Sequence, residues 1–151
     1  MKTSFIAASI LFIASPVFAQ TCKPVVGSFE AVVVPPGQRH CPAGAQLCTA
    51  GRVWGGVQGT YEFVMTDQHP SILMGGVPTI IFFTGRSTVS LKSGERIVGT
   101  DTGSIDVLPA RGGFASLITM DSDGGQMKLR GDFDPAAGTT SGDYLGTLCS
   151  S

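Results

Sequence analysis

Residues 59–66 read GTYEFVMT, and the order of apolar and polar side chains in them sets the fold class. In an extended chain Tyr61, Phe63 and Met65 share one face, while Thr60, Glu62 and Thr66 share the other. The same period of two returns in MKLRGDFD (127–134), where Met127, Leu129 and Phe133 oppose Lys128, Arg130, Asp132 and Asp134. TIIFFTGRSTVSL (79–91) starts apolar on both faces, the pattern of a strand covered on each side. ERIVGTDTGSIDV (95–107) and FASLITM (114–120) complete the middle of the chain. From Phe29 onward strands and turns follow one another, with no helical periodicity.

The segments between these runs carry turn chemistry. KSGE (92–95), ARGG (110–113), DSDGG (121–125) and DPAAGTTSGD (134–143) offer the tight reversals that hairpins need. GGVQG (55–59) reads as glycine that lets strands bend sharply. An all-β fold follows: a single antiparallel β-barrel of about seven or eight strands, since closing the sheet removes its exposed edges. Arg130-Gly131-Asp132 spells an adhesive tripeptide but falls inside an alternating run, with both charges on the polar face. A cross-strand pairing with a neighbour such as Asp143 is the expected use of those charges.

The first residues, MKTSFIAASILFIASPVFAQ, place Lys2 ahead of an apolar run from Phe5 to Ile13, then Pro16 and a small-x-small site at Val17-Phe18-Ala19. This predicts a signal peptide over 1–19 and one barrel domain over 20–151, periplasmic or secreted. A lipid anchor on Cys22 is disfavoured because Ala19-Gln20-Thr21 is a poor lipoprotein site. The formal net charge is −1 and there is no Lys/Arg cluster, which argues against nucleic acid. No further apolar run is long enough to span a bilayer, so no membrane insertion is expected. Asn is absent, so there is no glycosylation sequon.

Four cysteines, Cys22, Cys41, Cys48 and Cys149, follow the cleavage site. In an oxidising compartment they predict two disulfides. Three pairings are possible. Cys41–Cys48, clipping a short loop, with Cys22–Cys149, tying the ends, is preferred. A zinc site lacks the C-x-x-C spacing it would need, and no metal or cofactor is expected.

Candidate chemistry is sparse. No serine sits in a G-x-S-x-G context. His40 and His69 lie beside cysteine and proline in expected loops, and His69, near Asp67, is the better general base. Asp121 and Asp123 resemble the start of a calcium loop, but Gly125 takes the third ligand position. Asp101 and Asp106 fit a bulged strand. Glu62, in mid-strand between Tyr61 and Phe63, is either a solvated residue or, if turned into a cavity, a desolvated acid. Tyr61, Phe63, Phe83, Phe133 and Tyr144 are the candidate ligand-binding aromatics, within a wider set that includes Phe82, Phe114 and Trp54 at the start of a strand. They either fill the barrel or line a pocket.

Three segments, 48–66, 80–120 and 127–149, resemble small exported bacterial proteins associated with the allene oxide cyclase and dirigent-like barrels. The resemblance rests on Gly-Thr-Tyr, Gly-Thr-Asp and Phe-Ala-Ser-Leu patterns. It implies a calycin-like or allene-oxide-cyclase-like eight-stranded barrel with a central cavity, often oligomeric. Characterised members guide cyclisation or radical coupling by shaping a reactive intermediate in an apolar pocket. After FASLITM this chain carries DSDGGQ (121–126) instead of the aromatic, glycine-rich turn of plant members, and no catalytic residue transfers. The expected function is binding of a small apolar ligand in the barrel. A cyclase or isomerase using Glu62 or His69, and a structural or interaction protein of the envelope, are the alternatives. A homo-oligomer is compatible with each.

Overall fold

The computed structural model describes residues 21–71, 78–107, 112–121 and 124–150. The predicted leader (1–19), Asp123 and part of the ARGG turn lie outside these residues. Eight strands form: β1 Thr21–Val33, β2 Cys48–Gly55, β3 Gly59–Pro70, β4 Ile80–Leu91, β5 Arg96–Asp106, β6 Gly112–Met120, β7 Gly125–Asp134 and β8 Thr139–Ser150. Each pairs antiparallel with its sequence neighbour, and β1 pairs with β8 to close the barrel. The all-β antiparallel barrel and both preferred disulfides, Cys22–Cys149 and Cys41–Cys48, are as the sequence indicates.

Alternation builds the core. Tyr61, Phe63 and Met65 of β3 point inward, as do Met127 and Leu129 of β7, and they meet Phe29, Phe83, Ile118 and Tyr144. An eight-stranded barrel has an interior just wide enough for such side chains to fill. A second, smaller cluster joins the Cys41–Cys48 disulfide to Val34 under the β1–β2 connection. Among the described residues no helix is long and apolar enough to cross a membrane.

The two ends of the barrel differ. The lower end carries the start of β1, the end of β8, two tight turns at 56–58 and 92–95, and the passage from β6 to β7. The upper end carries the longer connections after β1, β3 and β5. It also has a short turn after β7, where the Asp134 carboxylate accepts N–H bonds from Ala136 (3.1 Å) and Ala137 (3.0 Å). Gly138 closes that turn at φ 63°, a conformation a side chain would disfavour. Within DPAAGTTSGD the turn occupies 135–138, and β8 starts at Thr139.

Several sequence expectations are corrected. Phe82 is 51 % exposed and Ile80 36 %, so the start of β4 is not covered on both faces. Its outer side lies on the barrel wall. Trp54 ends β2 rather than starting a strand, and 56–58 is the β2–β3 turn. Asp101 sits in unbroken register with both neighbours, not at a bulge. His69 belongs to β3, not to a loop. The irregularity in this region falls between Met65 and Asp67. It shifts the phase of the strand, pairs His69 with Phe82 and turns it to the outer wall.

The seam disulfide closes the longer covalent loop, with its cysteines 127 residues apart. In the chain-entropy picture such a cross-link contributes up to about 5 kcal/mol, against up to about 2.5 kcal/mol for a loop the size of Cys41–Cys48. Replacing Cys22 and Cys149 together by Ser should lower unfolding stability by up to that larger amount in urea titration. A loss below about 1 kcal/mol would mean that β1 and β8 hold together without it.

Candidate functional site

The inward positions of β3 to β6 are not all apolar. Asp101 of β5 is 2 % exposed and Ser87 of β4 2 %, with Ser116 of β6 at 8 %. Their strands are neighbours, so three polar side chains converge inside the barrel wall. Ser87 Oγ donates to Asp101 Oδ2 at 2.8 Å. With that proton committed, the Tyr61 hydroxyl donates to Ser87 Oγ at 3.1 Å. Gly103 keeps the space beside them open, because a Cβ there would lie 2.5 Å from Ser116 Cβ and 2.8 Å from the Phe83 ring.

The relay is incomplete at one end. Asp101 Oδ1 and Ser116 Oγ are buried without a hydrogen-bond partner. Ser116 faces the carboxyl closely enough to favour its charge, yet not in hydrogen-bonding geometry. Burial is the larger influence and raises the Asp101 pKa above the ordinary carboxylate value, with the hydroxyls of Ser87 and Ser116 opposing it. Burial, followed by the nearby Asp101 charge, raises the phenol of Tyr61 as well, so Tyr61 remains a neutral donor.

These groups border a cavity of about 40 Å³ that runs toward the upper end. Its walls include Phe63, Phe83, Phe114 and Phe133, with Leu47 and Thr140 nearer the end of the barrel. Phe63 and Phe83 meet edge to face, with centroids 5.5 Å apart. Leu47 is held by its carbonyl, which accepts the Met65 N–H at 2.8 Å, and the neighbouring Cys48 is clipped to Cys41. A cavity that takes up a benzene measures about 150 Å³, so this interior admits a small group and not a whole ligand. Filling of the barrel by its own aromatics is therefore nearly complete.

Four of the five aromatics singled out from sequence, Tyr61, Phe63, Phe83 and Phe133, surround this cavity. Tyr144 does not. It is 2 % exposed and works at the β2–β3 turn, where its oxygen accepts the Val57 N–H at 2.7 Å. Its one proton is shared between the carbonyls of Trp54 (3.2 Å) and Val57 (3.3 Å). Glu62 lies on the outer wall 3.7 Å from His40 Nδ1, and His40 Nε2 donates to the Phe63 carbonyl at 3.3 Å. His69 is also outside, 3.0 Å from Asp67 and 78 % exposed. Asp121 is engaged by Arg86 on the outer wall, through Nη1 to Oδ1 at 3.0 Å and a second contact through Nη2. Arg130 stands opposite Asp143 across β7 and β8, and Ser28 Oγ donates to Asp143 at 2.7 Å. Among the described residues no group of three or more His, Cys, Asp or Glu is arranged to hold a metal ion.

Asp101 was the residue that sequence reasoning passed over. Its signal was its phase: counting back by twos from Ile105 through Gly103 reaches Asp101, an acid on the core face. Chemically, burial favours the protonated form of Asp101, and in that form the unpaired oxygen can donate a proton or hydrogen bond to whatever enters the cavity. No family model, curated protein or solved structure matches this chain.

Two outcomes check this geometry. The unfolded-state pKa of an Asp is about 3.9. Below it both states hold the proton, and above it the unfolded chain ionises before folded Asp101 does, because burial raises the folded pKa. Stability from this group therefore falls as pH rises from about 4 and levels off once the folded pKa is passed. Asp101→Asn, compared with the parent by urea unfolding from pH 3.5 to 8, should gain relative stability across that window; a pH-independent difference would refute a raised pKa. Separately, Tyr144→Phe leaves the buried Val57 N–H without its acceptor and should cost about 1–3 kcal/mol in the same assay.

Proposed function

We propose that the protein is an exported barrel that binds a small, mostly apolar molecule at its upper end and reads one oxygen of that molecule with Asp101. The unpaired Oδ1 of Asp101 carries this reading. A buried polar atom without a partner is costly, and a ligand oxygen seated in the 40 Å³ space would supply one. The cavity size dictates the form of binding. Only the polar tip enters, while the apolar body rests on the aromatic walls near Phe114 and Phe133.

A cyclase- or isomerase-like activity is the second reading, favoured by the same acid. Burial beside an apolar space favours the protonated form of Asp101, and that form would donate a proton to a ligand carbonyl or epoxide oxygen, in line with the resemblance to allene oxide cyclases. Glu62 and His69, on the outer wall, take no part in this version.

Thermal unfolding with graded phenol, cyclohexanone and toluene tests the binding reading, because a ligand that binds only the folded state raises the midpoint with concentration. Phenol and cyclohexanone should raise it more than toluene does, and Asp101→Leu should abolish that difference. Equal shifts from all three, or none even in Phe83→Ala with its widened cavity, would defeat the proposal.

A further inference from the structure

The lower end of the barrel is unlike the upper one. Among the described residues, exposed Lys23, Lys92 and Arg96 ring it together with Glu95; nearby Asp121 is engaged by Arg86, and Asp123 follows it in sequence. Among the described residues acids outnumber bases at the other end, where Asp67, Asp106, Asp132 and Asp134 lie at or near strand termini and exposed Arg39 sits in the β1–β2 connection. Inside the cationic ring the tight turns leave a bowl of about 400 Å³, walled by half-buried Val25, Leu91, Ile97 and Leu148 over Met120.

Apolar side chains on the adjoining outer wall belong to the same region. Val26 is 69 % exposed, Leu145 59 % and Trp54 44 %. Val26 and Leu145 are direct partners across the β1–β8 seam, and Trp54 pairs with Ser28, two residues from Val26 on the same face. Lys128 is paired with Leu145 on its other side. A tryptophan beside aliphatic side chains and flanking lysines is the composition of a surface that settles into the headgroup region of a bilayer.

We propose that the lower end is a docking surface for an anionic lipid bilayer: Lys23, Lys92, Arg96 and Lys128 meet the headgroups while Trp54, Val26 and Leu145 seat among them. The barrel adsorbs without spanning the bilayer. The acid-rich upper end, with the cavity, then faces away from the membrane.

Trp54 is the one tryptophan of the chain, so its emission reports contact directly. The test uses protein recovered from its own host and vesicles of phosphatidylcholine with or without phosphatidylglycerol. The emission should shift to the blue and the protein co-sediment only with the anionic vesicles, and 0.5 M salt should reverse both. Each cation near an anionic surface strengthens binding about fivefold, so Lys23→Gln, Lys92→Gln and Arg96→Gln together should weaken it about a hundredfold. Leu145→Ser should weaken it with the charges intact. Equal binding to neutral and anionic vesicles, or binding indifferent to the triple substitution, would overturn the proposal. Equally tight binding of dispersed dihexanoylphosphatidylglycerol would also overturn it, placing a single lipid in the bowl instead of a bilayer against the wall.

Discussion

The pairing of β1 with β8, running from Thr21 opposite Ser150 to Val32 opposite Thr139, is the contact on which the rest depends. Every other strand pair joins sequence neighbours through a local connection, while this one joins the two ends of the described chain. Its loop-closure entropy is correspondingly large, and the Cys22–Cys149 bond bears directly on that cost. Closure also defines an inside. Without it the inward residues of β3 and β7 would share one face of an open sheet, with no opposite wall to pack against. The lower part of β1 extends beyond β2, which ends at Gly55, and there Pro24 occupies a strand with a partner on one side only. That is where a residue lacking an N–H is tolerated.

Once closed, the barrel is almost full. Above the lower mouth its aromatic and aliphatic side chains leave about 40 Å³, and the ionisable carboxyl buried there is that of Asp101. An apolar residue of the same size would pack there without a desolvation cost. Its retention among Ser87, Ser116 and Tyr61, with one oxygen unpaired, is the feature of the interior least explained by stability. That is the physical basis for placing function at this point and not at Glu62 or His69, whose carboxylate and imidazole lie on the outer wall with each other's neighbours for company: Glu62 with His40, His69 with Asp67.

The outer wall is organised as well. Arg86 links β4 to Thr100 of β5 (3.0 Å) and to Asp121 just beyond β6, on an exposed surface where such contacts add little stability. Among the described residues an excess of acids at one end and of bases at the other gives the barrel a direction. The cavity opens toward the acidic end and the exposed apolar seam lies near the basic one. A ligand site and a lipid-facing site at opposite ends would not compete for the same surface.

By itself the sequence determined the strand class, the inward faces of β3 and β7, the use of all four cysteines and the harmless setting of Arg130-Gly131-Asp132. Each of these is written in period-two alternation, turn residues or cysteine separation, all local in the chain. It also picked out four of the aromatics around the cavity, because phase alone points them inward. The tertiary structure decided the rest. Tyr144 was indistinguishable by phase from the cavity aromatics, and only its height along the barrel assigns it to the Trp54–Val57 turn. His69 was turned outward by a shift of register after Met65, which depends on how β4 pairs and leaves no mark in alternation. Asp101 gained its meaning from Ser87 and Ser116, residues 14 and 15 positions away brought alongside by pairing on either side of β5. Burial and partnership are properties of neighbours across strands, and a single chain read in order does not contain them.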